Sequence, residues 1–74
     1  KEALVMSKLL IKVENMSCQH CVKSIHDAVA GITGVKEVKI DLKTKLVQID
    51  YDEKFISQFI LIEKIEDQGF NIQL

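Results

Sequence analysis

The chain has 74 residues, of which 47% are hydrophobic and 28% charged, with a formal net charge of -1. This balance excludes a disordered segment and a surface of one charge that would attract nucleic acid or lipid. All ten basic residues are lysine, which further disfavours nucleic-acid contacts built on the arginine fork. No apolar run approaches the roughly 18 residues that span a bilayer, so we expect one small cytoplasmic domain that does not insert into a membrane.

The N-terminus suggests where the domain begins. Met6 followed by Ser7 and Lys8 resembles a natural start. Residues 1–6 are therefore predicted to be a disordered N-terminal extension or a cloning remnant, and residues 7–74 to form the folded domain. A domain cut from a longer chain remains an equally weighted alternative.

The first half of the chain changes its periodicity once. Apolar residues alternate with polar ones at Leu9, Ile11 and Val13, which predicts a half-buried strand. After a loop at 15–17, an amphipathic helix is predicted from Gln19 to about Ile32. Its apolar stripe has helical spacing and consists of Val22, Ile25, Val29 and Ile32.

The second half predicts a hairpin, a helix and a last strand. Alternation over 38–42 and 47–51, separated by a polar turn at 43–45, predicts two antiparallel strands. A second helix follows residues 52–56, and we expect one face of it to hold Gln58, Leu61, Ile62 and Ile65. An edge-like strand then contains Phe70, Ile72 and Leu74.

The resulting order, strand–helix–strand–strand–helix–strand, predicts an α+β fold of the ferredoxin-like type. Right-handed crossovers give a four-stranded antiparallel sheet with both helices on one face. Phe59 and Ile60 fall outside the best apolar stripe of the second helix. We favour a broader buried arc on this helix, and the alternative is an exposed patch for a partner.

Cys18 and Cys21 lie where the first loop meets the first helix. Free N–H groups and the positive end of the helix dipole favour thiolates there, and thiolate is the form that binds metal. Soft sulfur selects Cu(I), which accepts two ligands, whereas structural zinc normally takes four. A soft-metal site, a dithiol redox site and incidental core cysteines remain as interpretations, of which we favour the first.

Two ligands near a surface suit a carrier, because an incoming thiolate can bind the ion before an original ligand leaves. We expect a binding protein and not an enzyme, since no nucleophile with a base and an orienting group is visible. The enzymatic alternative is a thiol–disulfide oxidoreductase. It is disfavoured because thioredoxin-like folds place a cis-proline beside the cysteines, and this chain has no proline.

A longer motif surrounds the cysteines and consists of Met16, Ser17, Cys18, Gln19, His20 and Cys21. With residues 65–70, it resembles the heavy-metal-associated domain family over about residues 8–72, and within that family the bacterial copper chaperones. The resemblance implies a Cu(I) carrier, or the N-terminal metal-binding domain of a copper-transporting P-type ATPase. It implies Cys18 and Cys21 as ligands, Met16 as a buried anchor and Phe70 as a cover over the site. The implied partner is a copper-transporting P-type ATPase or a copper-responsive regulator.

Several features near the motif leave alternatives open. Asn15 stands where the family usually has glycine, and we expect asparagine to tolerate the left-handed backbone there. Phe70 is common in transporter domains, whereas chaperones often carry tyrosine. Ser17 favours copper because zinc-binding relatives tend to be acidic at this position, although mercury, zinc and cadmium remain alternatives. We favour His20 as a solvent-facing residue over a third ligand, and expect a monomer without metal, with a copper-bridged dimer left open.

Overall fold

The computed structural model describes residues 6–73 of the chain. Its elements are β1 (Met6–Val13), α1 (Gln19–Ala30), β2 (Val35–Asp41), β3 (Leu46–Asp52), α2 (Gln58–Glu66) and β4 (Ile72–Gln73). Neither helix of this part of the chain is long and apolar enough to cross a bilayer. Of the predicted N-terminal extension, residues 1–5 lie outside the described part. The strand nevertheless begins at Met6, one residue before the predicted start of the domain.

The four strands form one antiparallel sheet in the order β2-β3-β1-β4. Ile49 of β3 lies in the middle, paired with Leu9 on one side and Val38 on the other. β4 is shorter than the predicted strand: Phe70 precedes it, and Leu74 lies outside the described residues. The sheet therefore ends, next to β1, in a strand of only two residues.

The core lies between one face of the sheet and the two helices. α1 contributes Ile25 and Val29 and α2 contributes Leu61 and Ile65, all fully buried. They share one cluster with alternate residues of the central strands, namely Leu9, Ile11, Val13, Val47, Ile49 and Tyr51. Since alternate residues of a strand point to one face, both helices cover the same side of the sheet. The α+β, ferredoxin-like fold predicted from the sequence is confirmed.

α2 buries a narrower stripe than the sequence predicted. Phe59 is 72% exposed and Ile60 is 42% exposed, so the broader buried arc is wrong. Gln58 was also expected on the buried face and is exposed. Leu61 and Ile65, one helical turn apart, are the two fully buried residues of this nine-residue helix. An i, i+4 pair defines a single stripe, which leaves the preceding apolar residues in solvent.

Gly34, between α1 and β2, occupies a position that other residues fit poorly. Its φ is +101°, and an added Cβ would lie 2.7 Å from Cβ of Phe55. Its carbonyl also accepts a hydrogen bond from the N–H of Asp52 at 2.7 Å. We expect Gly34→Ala to lower the free energy of unfolding by about 1–3 kcal/mol. Both the backbone strain at positive φ and the close contact with Phe55 destabilise the folded state of this variant.

Gly31→Ala is the matched control for this substitution. Gly31 has a φ of -88°, and no atom beyond its own residue and its chain neighbours lies within 4 Å of an added Cβ. Alanine there should be neutral, or stabilising by up to about 1 kcal/mol, because it reduces the entropy of the unfolded chain. Urea unfolding of both variants measures the difference, and equal effects would contradict the account of Gly34.

Candidate metal centre

The loop between β1 and α1 is anchored in the core by Met16. This side chain is fully buried and belongs to the central hydrophobic cluster, as the family resemblance implies. Its backbone N–H donates to the carbonyl of Val13 at 3.3 Å, which closes a turn directly after β1. The residues that follow Met16 are thereby held at the surface, above the end of the sheet.

Cys18 and Cys21 lie where the sequence predicted, in the loop and in the first helical turn. Cys18 is the N-cap of α1, with extended backbone angles, and its side chain makes no capping bond. Its carbonyl accepts from the N–H groups of Cys21 at 3.0 Å and Val22 at 3.2 Å, which starts the helix. The Sγ atoms of the two cysteines are 3.2 Å apart, with Cys18 exposed and Cys21 half-buried.

The surroundings of Cys21 favour its thiolate. A backbone hydrogen bond from Ser17 is the main cause that lowers the pKa of the Cys21 thiol, and the side chain of Cys18 lowers it further. The first turn of α1 contains no acidic residue, so no carboxylate there competes for the helix N-terminus. The positive end of the dipole therefore acts on the sulfur atoms.

The distance between the two Sγ atoms shows whether they are bonded to each other and how far they are from the separation that a bound ion would require. At 3.2 Å they are free thiols, since a disulfide bond is about 2.05 Å long. A zinc–thiolate bond is about 2.3 Å long, so two sulfurs bound to one ion at such a distance lie at most about 4.6 Å apart. Holding an ion between them would then require the sulfurs, now 3.2 Å apart, to separate by up to about 1.4 Å. Cys18 can make this movement because it is exposed and its side chain caps nothing.

The other predicted site residues differ in their exposure. Ser17 and His20 are exposed, and Phe70 is half-buried against the core just before β4. Within residues 6–73, no three side chains of His, Cys, Asp or Glu are grouped to hold a metal ion. The described residues therefore bring the two cysteines together as a pair, without His20 completing a three-ligand group.

Asn15 has a contact that the sequence did not predict. We expected a left-handed backbone there, but among the described non-glycine residues positive φ occurs at Lys45 instead, with φ 63°. The Asn15 side chain donates from Nδ2 to the carbonyl of Gly69 at 3.0 Å and accepts at Oδ1 from the N–H of Asn71 at 2.8 Å. An amide directly before Met16 was the available signal, but its partners are far away in the sequence.

Lys45, in the β2–β3 turn, forms hydrogen bonds with the start of the loop between β1 and α1. The N–H of Val13 donates to the carbonyl of Lys45 at 2.8 Å, and Nζ of Lys45 donates to the carbonyl of Glu14 at 3.1 Å. The loop between β1 and α1, here called the metal-site loop because it carries Cys18, is thus bound at its start on two sides. The β2–β3 turn binds it on one side and the segment around Phe70 on the other.

This fold and this loop define a class of protein: a small α+β domain that presents two adjacent thiols at the start of its first helix. The model of the heavy-metal-associated domain matches residues 10–71, and the chain belongs to that family. The family is one of metal-binding domains, in agreement with the interpretation of the paired cysteines.

Relatives and solved structures agree with this assignment. A protein of Staphylococcus haemolyticus strain JCSC1435 named copper chaperone CopZ is 40% identical over 68 residues, covering 92% of this chain and 100% of the relative. A solved CopZ metallochaperone is similar with a TM-score of 0.86 and 31% identity, covering 90% of this chain and 100% of that one. The yeast copper transporter domain CCC2A, solved in apo and Cu(I)-loaded states, gives a TM-score of 0.82 and 29% identity, covering 89% and 90%.

Proposed function

We propose that this protein is a copper chaperone that binds one Cu(I) ion between Cys18 and Cys21 and passes it on by ligand exchange. The observation that carries the proposal is the pair of sulfurs, 3.2 Å apart at a helix N-terminus that lacks acidic residues. The similarity to proteins named copper chaperone supports copper as the cargo.

The oxidation state follows from the chemistry of the ligands. Thiolate is a soft donor and favours Cu(I) over hard cations. Two thiolates satisfy Cu(I), whereas a structural zinc ion normally binds four protein ligands. Ser17, next to the first cysteine, brings no carboxylate to the site. Mercury, zinc and cadmium are the competing cargoes, and metal competition on the same protein distinguishes them.

Transfer proceeds through shared coordination in this proposal. A thiolate of the acceptor adds to Cu(I) as a third ligand, one cysteine of this chain then leaves, and a second exchange completes the transfer. Cys18 is the more exposed of the two, so the acceptor approaches from its side. Copper stays Cu(I) throughout, and each metal–sulfur bond that breaks is replaced by another.

The expected setting is the cytoplasm, with a monomer in the absence of metal. The acceptor is a copper-transporting P-type ATPase or a copper-responsive regulator, and a dimer that shares copper through exposed dithiols is a further state to test. The protein acts as a carrier, with copper bound and released unchanged, and not as an enzyme. Ser17, His20, Met16 and Phe70 shape the site without ligating the ion.

A metal-binding domain of a copper transporter is the second candidate function. Phe70 favours it, because transporter domains of the family often carry phenylalanine where chaperones carry tyrosine. The similarity to the copper transporter domain CCC2A also supports it. Both candidates use the same dithiolate, and the sequence of the complete gene decides between them.

The dependence of the transfer rate on acceptor concentration tests the carrier mechanism. The protein is loaded with one equivalent of Cu(I), mixed with a peptide that carries Cys-x-x-Cys, and separated from it by size for copper analysis. Ligand exchange predicts a rate that increases in proportion to peptide concentration. A rate that is independent of the peptide would show release of the free ion and would contradict the mechanism.

A further inference from the structure

We infer that Asn15 is a positioning residue that fixes the segment carrying Phe70 against the metal-site loop. The inference rests on the proposed function of the cysteine pair. Its starting point is that one side chain bonds both Gly69 and Asn71, the two neighbours of Phe70. The two hydrogen bonds, 3.0 Å and 2.8 Å long, bridge loops that are more than fifty positions apart in the chain.

The Asn15 amide continues the pairing of β1 with β4. The regular ladder ends where Val13 pairs with Ile72, and the N–H of Glu14 then donates to the carbonyl of Asn71 at 3.0 Å. The carboxamide of Asn15 supplies the next two bonds with side-chain atoms. A donor and an acceptor on one planar group can satisfy a carbonyl and an N–H of the facing segment together. β4 itself has two residues, so this extension is a large share of what holds the segment.

Phe70 is held between the two hydrogen-bonded residues. Gly69 on its one side has a φ of +93°, and Phe70 itself is half-buried against the core. Asn15 precedes Cys18 by three positions, so its amide links the segment of Phe70 to the loop that carries the first ligand. With the amide removed, the segment can move away from that loop. In the proposed site, which Phe70 shapes, this movement gives an incoming thiolate freer access to the copper, and the ion is removed faster.

The first test uses the protein without metal. In Asn15→Ala, we expect the amide hydrogen of Asn71 to exchange about tenfold faster by NMR, as the loss of one to two ordinary hydrogen bonds predicts. Glu14→Ala is the matched control, because Glu14 is its exposed neighbour in the same turn. Asn15→Asp keeps an acceptor for the N–H of Asn71 but turns an oxygen towards the carbonyl of Gly69, so it should restore protection at Asn71 only in part.

The second test measures transfer of Cu(I) to the Cys-x-x-Cys peptide. We expect the rate to increase about three- to tenfold in Asn15→Ala, in proportion to the lost hydrogen bonds, and to recover in part in Asn15→Asp. Ile49→Val truncates the core in the middle of β3 and controls for a general loss of stability. It should leave the rate unchanged.

Two results would overturn the inference. Unchanged exchange at Asn71 in Asn15→Ala would show that the amide does not hold the segment. Faster exchange at Asn71 with a transfer rate no different from that of Ile49→Val would show a structural role alone. Failure of the unsubstituted protein to bind Cu(I) would instead refute the proposed function, and the exchange measured without metal would still decide whether Asn15 holds the segment.

Discussion

Replacing either Cys18 or Cys21 with serine is expected to lower the affinity for Cu(I) by at least about a thousandfold. A serine hydroxyl is neutral at pH 7 and a hard donor, so it cannot replace a thiolate on a soft ion. In the proposed site of two protein ligands, each substitution removes half of the coordination. The effect should exceed the roughly 10–100-fold cost of losing a partner outside the direct ligands. Competition against a Cu(I) chelator measures the change.

The cysteine variants should remain folded. Cys18 is exposed and Cys21 is half-buried, and the two sulfurs contact each other at 3.2 Å. Far-UV circular dichroism and urea unfolding verify this. Ser24→Ala, at an exposed position on the same helix, is the control and should keep the unsubstituted affinity. Unchanged affinity in either cysteine variant would show that the ion binds elsewhere.

Truncation of Met16 is expected to give the largest loss of stability of any substitution near the site. Met16→Ala removes a fully buried side chain from the central cluster and should lower the free energy of unfolding by about 2–5 kcal/mol. Small domains have a total stability of about 5–15 kcal/mol, so this is a large fraction of it. Urea unfolding at constant pH, with the cysteines reduced, measures the loss.

The substitution Met16→Leu distinguishes a Met16 side chain that only anchors the loop from one that also binds the metal. Leucine has a similar volume, so the loss of stability should stay below about 1.5 kcal/mol. Because leucine lacks the thioether, Cu(I) affinity should nevertheless be unchanged if Met16 only anchors the loop. A folded Met16→Leu variant with weak Cu(I) binding would show that the Met16 sulfur coordinates the ion.

The sequence predicted the fold well because its periodicity is clean. Alternation in β1 and β3 and the i, i+4 spacing of Ile25 and Val29 correspond to residues that the structure buries. For α2 it predicted the burial of Leu61 and Ile65 correctly but made the buried face too broad, because Phe59 and Ile60 are exposed. The four consecutive apolar residues 59–62 point to nearly all sides of a helix, so this part of the sequence does not define how wide the buried face is. The width of the buried face depends on how the sheet and α1 pack against the helix, which a local pattern does not contain.

The two cysteines of the candidate site could be predicted from the sequence, but the side-chain contacts that hold the loop in place could not. The spacing of Cys18 and Cys21 and their place before a helix are local features. The contacts of Asn15 with Gly69 and Asn71 span 54 and 56 positions, and no local pattern encodes them. The expectation for Asn15 considered its backbone alone, whereas the side chain makes the decisive contact. Long-range hydrogen bonds of single polar side chains become visible only when the loops are brought together.

X-ray absorption at the copper edge, on the protein loaded with one equivalent of Cu(I), tests the central claim most directly. We expect an edge typical of Cu(I) and a first shell of two sulfur atoms, and loss of this two-sulfur shell in Cys18→Ser. A shell that contains nitrogen would place His20 on the ion. A shell without sulfur would contradict the assignment of Cys18 and Cys21 as the metal site.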